Sequence, residues 1–299
     1  AVSALACALD FSGTRNRVLV TDFEFPTVAQ VWHAQRARGA EVVHVPETGG
    51  RIGLEAYEAA LDERTLLVCA AHVCYRHGGM QDARAVTDLA HAQGALVLLD
   101  AYQSLGTVPL DVKALGVDVL VGGALKYLLG SSGLAFMYVR RDLLETLSPT
   151  ATGWFAQADI MKLDIHGHEP AGSARRFESG TPAVPNLYAG LAGLDIVHAL
   201  GVERIHAHLE TLTDAIKTGA RERGYRLATA GAHGAMVALS AERVEELVAR
   251  LEHDDIIVSS RDGNLRVSPH FYNDPEDIER LFGALETHQE LLKLERAFA

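Results

Sequence analysis

Between residues 17 and 140 the chain alternates between two periods. RVLVTD (17–22), EVVHV (41–45), TLLVCAAH (65–72), ALVLLD (95–100), VDVLVGG (117–123) and LAFMYVR (134–140) are short Val- and Leu-rich runs that predict strands. Between them, TVAQVWHAQRARG (27–39), LEAYEAALDE (54–63) and ARAVTDLAHAQG (83–94) have helical spacing, and Gly39 and Gly94 end the first and last of these. Near-continuous apolar strands separated by amphipathic helices predict an α/β fold: a mostly parallel central sheet with helices on both faces. Ligands of such sheets bind beyond the carboxyl ends of the strands. Asp22, His72, Asp100 and the segment after Gly123 are the residues so placed.

The texture changes near 185. PNLYAGLAGLDIVHALGVERIHAHLETLTDAIKTGARERG predicts one or two long helices. AMVALS (235–240), DIIVSS (255–260) and NLRVS (264–268) follow as strands, with a helix at 241–253 between the first two. A last helix is opened by Asn273-Asp274-Pro275, with Glu276 and Asp277 in its first turn. The expected organisation is a large domain over 1–200 and a smaller C-terminal α/β domain over 201–299. The opening AVSALACALDF already has a helical pattern and no cap before it, which suggests a segment upstream that this chain lacks.

The 299 residues carry 27 Lys+Arg against 39 Asp+Glu, a formal net charge of -12. That balance is a poor match for nucleic acid or an anionic membrane, both of which need concentrated positive charge. No apolar run approaches the ~20 residues of a membrane span. Residues 1–10 have no basic stretch, and Cys7, Cys69 and Cys74 cannot form an even disulfide framework or a zinc spacing. The expectation is a reduced, cytoplasmic protein. Of the 14 histidines, none forms an HExxH pair, and no strand is followed by GxGxxG. Neither metal catalysis nor a nicotinamide site is indicated.

Two residues carry the chemistry. Asp100 ends the most apolar strand and is followed by AYQS. Lys126, in VGGALKYLLGSSG, is the one lysine of five flanked on both sides by apolar residues and glycines. Partial desolvation lowers a lysine's pKa and exposes a nucleophilic amine. A strand-end carboxylate with a lysine after the next strand is the pairing pyridoxal phosphate requires. The lysine holds the aldehyde as a Schiff base, and the carboxylate keeps the pyridine nitrogen protonated.

The stretch 72–140 resembles the class V aminotransferase family of fold-type I pyridoxal-phosphate enzymes. Kynureninase is the nearest likeness, and cysteine desulfurases and selenocysteine lyases come next. HVCYRHGGMQD (72–82), DAYQSLGTVPLDV (100–112), LKYLLGSSG, GWFAQ (153–157), RRFESGTP (175–182) and LRVSPHFYNDPEDIERL (265–281) carry it in order along almost the whole chain. The resemblance implies pyridoxal 5′-phosphate on Lys126, Asp100 on the pyridine nitrogen and Gln103 near the phenolate oxygen. It also implies Phe25 stacked on the ring, with His72 and Trp154 as further cofactor contacts. Thr181 would reach the phosphate of a neighbouring subunit, making the protein a homodimer. Arg266, or failing it Arg261, would bind the carboxylate of an amino-acid substrate.

The chain departs from the family pattern in two places. Leu125 stands where kynureninase has a Tyr before the lysine, and SSRDGN lacks the cysteine of the desulfurases. The expected activity is therefore a kynureninase-like lyase or hydrolase cleaving at Cβ. Transamination, racemisation or a non-catalytic homologue are the alternatives. The phosphate grip expected at the start of AVSALACALD would lie upstream of residue 1. Weak cofactor binding and an exposed apolar surface beside residues 1–10 are the corollaries.

Overall fold

The computed structural model describes residues 1–295. The six strands predicted in the first half all form: β1 Arg17–Thr21, β2 Glu41–Val45, β3 Thr65–Ala71, β4 Leu96–Asp100, β5 Val119–Gly123 and β6 Ala135–Val139. They make one sheet in the order β2-β1-β3-β4-β5-β6. Every neighbouring pair is parallel except β5 and β6, which run antiparallel. β6 is one of the two edge strands, and most of its residues are only partly covered although its run LAFMYVR is apolar up to Arg140.

The two faces follow the period of two along each strand. Val18, Val20, Leu67, Cys69, Leu98 and Val119 point to one side, under the helices Val2–Ala8 and Pro26–Ala34. Leu19, Val68, Ala70, Val97 and Leu99 point to the other, under Leu54–Ala60 and Ala83–Ala92. From β1 the chain passes to β2 on one side and then returns to place β3 on the other. The strand order therefore switches between β1 and β3, and such a crevice at the carboxyl ends is where α/β sheets bind ligands.

In the second half the predicted long helix is two, Val184–Leu200 and Val202–Glu222, divided at Gly201 with φ 84°. Beyond them β7 Val237–Ser240, β8 Ser259–Arg261 and β9 Asn264–Val267 form an antiparallel sheet in the order β7-β9-β8. The strand expected over 255–260 shrinks to Ser259–Arg261. Asp255 turns the chain through a left-handed conformation (φ 58°) after the preceding helix, and Ile257 is left in solvent. The last helix, Pro275–Thr287, has a reciprocal capping box between Asp274 and Asp277. This half has its own core of Ile205, Leu212, Ile216, Leu239, Leu265 and Leu285, which extends to Tyr127 and Leu128 beside the predicted Schiff-base lysine.

Most of the opening helix is packed against the large sheet, while exposed Phe25 and Leu125 line a cavity together with Ala1 and Val2. Leu5, Ala6, Leu9 and Phe11 are buried. Among the exposed apolar side chains, Val184, Leu187, Tyr188 and Leu191 share one face of the helix Val184–Leu200. Among the described residues no helix is long and apolar enough to cross a membrane, and no three metal-ligating side chains cluster.

Candidate active site

A cavity of about 630 Å³ opens at the carboxyl ends of the large sheet, beside the β1/β3 switch. Phe25, Asp100, Gln103, Lys126, Arg261 and Arg266 all line it. These residues are far apart in sequence. Three layers of structure bring them together.

Asp100 is the last residue of β4 and is 8% exposed. Its Oδ1 accepts the Tyr102 amide at 2.8 Å. Burial pushes its carboxyl above the usual range, while the Tyr102 amide and the charge of Lys126 pull the other way. A buried carboxylate at the cavity wall with spare acceptor capacity suits a protonated ring nitrogen.

Lys126 follows β5 by three residues. Burial, then the positive charge of Arg266, lower it to about 8, with Asp100 opposing. Its Nζ lies 4.9 Å from the centre of the Tyr102 ring. The glycines before it leave room for that ring and its neighbour. A Cβ on Gly123 would fall 2.3 Å from the Tyr102 ring, and one on Gly122 would fall 2.2 Å from Leu105. After the lysine, Leu129 adopts a positive φ of 56°, uncommon for a branched aliphatic residue, as the loop turns back. That turn places Tyr127 and Leu128 in the core of the C-terminal half.

Phe25 enters from the segment after β1, its ring edge-on to Tyr75 at 5.1 Å between centres. Arg266 comes from β9 and donates to the Tyr75 carbonyl oxygen at 2.9 Å. Arg261 ends β8 and donates to the Ser260 carbonyl oxygen at 3.2 Å.

Three expected site residues lie outside this cavity. His72 is buried behind it. Its amide donates to the Asp100 carbonyl oxygen at 2.9 Å, and its ring pairs with the Ser104 hydroxyl at 3.0 Å. Burial pushes the ring down to about 4, so it is a neutral strut between the ends of β3 and β4. Trp154 packs edge-on against Phe155 and lines a separate cavity of about 660 Å³ formed by the exposed loop 152–169. Thr181 is exposed beyond that loop and does not reach the lysine of its own chain.

Two residues of the cavity lining and one buried acid near it were missed. Tyr75 and Tyr102 line the cavity, and both stood inside quoted motifs, HVCYRHGG and DAYQS. Glu24, in TDFEFP, is 6% exposed on the strand-end side of Asp100. It accepts from the Thr21 hydroxyl at 3.1 Å, and its second oxygen has no partner among the described residues. Burial, and then the neighbouring Asp100 charge, push its carboxyl well above the usual range. None of the three cysteines lines the cavity, and Cys69 and Cys74 are fully buried.

A half-buried amine of lowered pKa, a buried carboxylate and an aromatic wall meet in one cavity on an α/β sheet. That combination suits a pyridoxal-phosphate enzyme, and the residues present fit the group. The chain belongs to the class-V aminotransferase family, whose model matches residues 1–281. It is 38% identical over 283 residues to the uncharacterised aminotransferase YcbU of Bacillus subtilis (strain 168), covering 93% of this chain and 74% of that one. It is 34% identical over 214 residues to the kynureninase of Deinococcus radiodurans, covering 71% of this chain and half (50%) of that one. The apo structure of a cysteine desulfurase from Thermococcus onnurineus NA1 shares the fold, with a TM-score of 0.86 at 22% identity over 96% of this chain and 76% of that one.

Proposed function

We propose that this chain acts on an α-amino acid at Lys126, cleaving at Cβ in the manner of a lyase or hydrolase. The observation that carries the reading is the pairing of Lys126 with Asp100 in one cavity. When bound, pyridoxal phosphate supplies an electron sink for the substrate's Cα bond. The protein's own residues do the rest. Nζ of Lys126, uncharged in a useful fraction near neutral pH, would hold the cofactor and serve as the base for the substrate's α-proton. The Asp100 carboxylate holds the proton on the ring nitrogen. Arg266 grips the α-carboxylate in a bidentate fork and so sets which Cα bond faces the lysine.

Cleavage at Cβ needs no thiol in the cavity, and none is present among the described residues. That weighs against sulfur relay through a cavity cysteine. The active assembly in this reading is a homodimer joined over the apolar face of Val184–Leu200, with Thr181 serving the partner's phosphate. The unit 1–200 supplies the chemistry and 201–299 the substrate grip. The deciding experiment is Lys126→Ala. The purified variant should keep its circular dichroism and lose the near-visible band of lysine-bound cofactor, and borohydride should then fix no label by mass spectrometry. Covalent label retained in that variant would refute the assignment.

A further inference from the structure

β8 and β9 pair with Ser259 opposite Arg266 and Arg261 opposite Asn264. Side chains two positions apart share a face, so Arg261 and Arg266 are diagonal neighbours on the same face of the small sheet, ~7–8 Å apart at their backbones. Both line the same cavity. Their hydrogen-bond partners are main-chain oxygens, and neither has an ion pair with a carboxylate among the described residues. The nearest acid in sequence, Asp262, is turned away to Arg76 at 3.3 Å. Asp100 is the only acid lining the cavity among the described residues, and it is assigned to the ring nitrogen. Two guanidinium groups held together without a counterion repel. Burial and then the charge of Arg261 lower the proton affinity of Arg266. A fold that keeps such a pair open to a cavity presents a site for two anionic groups.

The α-carboxylate can satisfy only one of them. Arg266 is half-buried and close enough to depress Lys126, so it takes the group attached to Cα. Arg261 is exposed at the rim and faces the outer end of the substrate. We propose that the substrate is an amino acid whose side chain ends in a second carboxylate, held by Arg261. The proposal rests on the reading of Lys126 as the attachment lysine, and it narrows the substrate class within that reading.

The test uses the holoprotein and reads the shift of the near-visible band as L-aspartate, L-glutamate or L-alanine is added. Wild type should bind one of the two acidic amino acids roughly 10- to 100-fold more tightly than alanine. Arg261→Gln should collapse that preference, losing acid affinity far more than alanine affinity, and Arg261→Lys should restore part of it. Equal binding of all three ligands by wild type would overturn the proposal. So would an equal loss for alanine in Arg261→Gln, which would place the α-carboxylate on Arg261. A loss of pyridoxal-phosphate affinity in Arg261→Gln would also overturn it, because the guanidinium would then serve the cofactor phosphate. A wild type that shows no near-visible band at all fails the parent reading instead, so the two failures are distinguishable.

Discussion

The amine of Lys126 can be tested without any cofactor. Its pKa of about 8 leaves about one amine in ten unprotonated at pH 7, against about one in three thousand for an ordinary lysine near 10.5. The gain in reactive amine is roughly 300-fold. The causes predict how variants move it. Burial is the largest, and the Arg266 charge acts in the same direction while Asp100 opposes both. Arg266→Gln should therefore raise the midpoint towards that of a free lysine, and Asp100→Asn should lower it below 8. The assay is competitive acylation of the cofactor-free protein across pH, with the Lys126 peptide quantified by mass spectrometry against the exposed Lys162 peptide as internal standard. A wild-type midpoint equal to that of Lys162 would refute the desolvation argument. Shifts of the same sign in the two variants would refute the assignment of causes.

Other consequences can be checked separately. His72, neutral when folded and pushed down to about 4 by burial, takes up a proton on unfolding below about pH 6.5. Stability should therefore fall as the pH drops from about 6.5 towards 4, by up to ~3 kcal/mol. Urea midpoints of His72→Asn should show a correspondingly flatter profile, and an identical slope would count against it. Gly123→Ala forces a methyl into the Tyr102 ring and should cost ~1–3 kcal/mol in melting experiments while weakening cofactor capture. An unchanged melt would show that the ring has room to move. Wild type should sediment as a dimer and Leu191→Glu, on the exposed apolar helix face, as a monomer. A variant that stays dimeric would move the interface elsewhere.

Local pattern made much of this architecture legible. The inner strands of the large sheet are Val- and Leu-rich runs because both their faces are covered, and such runs are hard to mistake for anything else. The short strand β8 was misjudged because DIIVSS has the right composition, yet the left-handed turn at Asp255 delays its pairing. In the site, Asp100 and Lys126 were legible because each sits at a strand end within its own motif. His72 sits at a strand end too, and position alone could not say whether its ring faces the cavity or the hydroxyl of Ser104 behind it. Glu24 was invisible for the opposite reason. A charged residue between two aromatics reads as a surface position, and only the tertiary packing of β1 against β3 shows that it is enclosed.

The division of the cavity between two cores bears on how such a protein diversifies. The lysine and the carboxylate stand at the ends of strands locked between two packed faces, where almost any change is felt throughout the sheet. The two guanidinium groups stand on a three-stranded hairpin sheet with a different core, and Arg261 is next to a glycine turn at its tip. Under the proposed roles, a change in that turn would alter substrate choice while leaving the strand-end lysine and carboxylate in place. A lineage built this way inherits its reaction chemistry as a fixed legacy and acquires its diet by tinkering at the rim. Ancestry can therefore be plain across most of the chain while the menu differs from one descendant to the next.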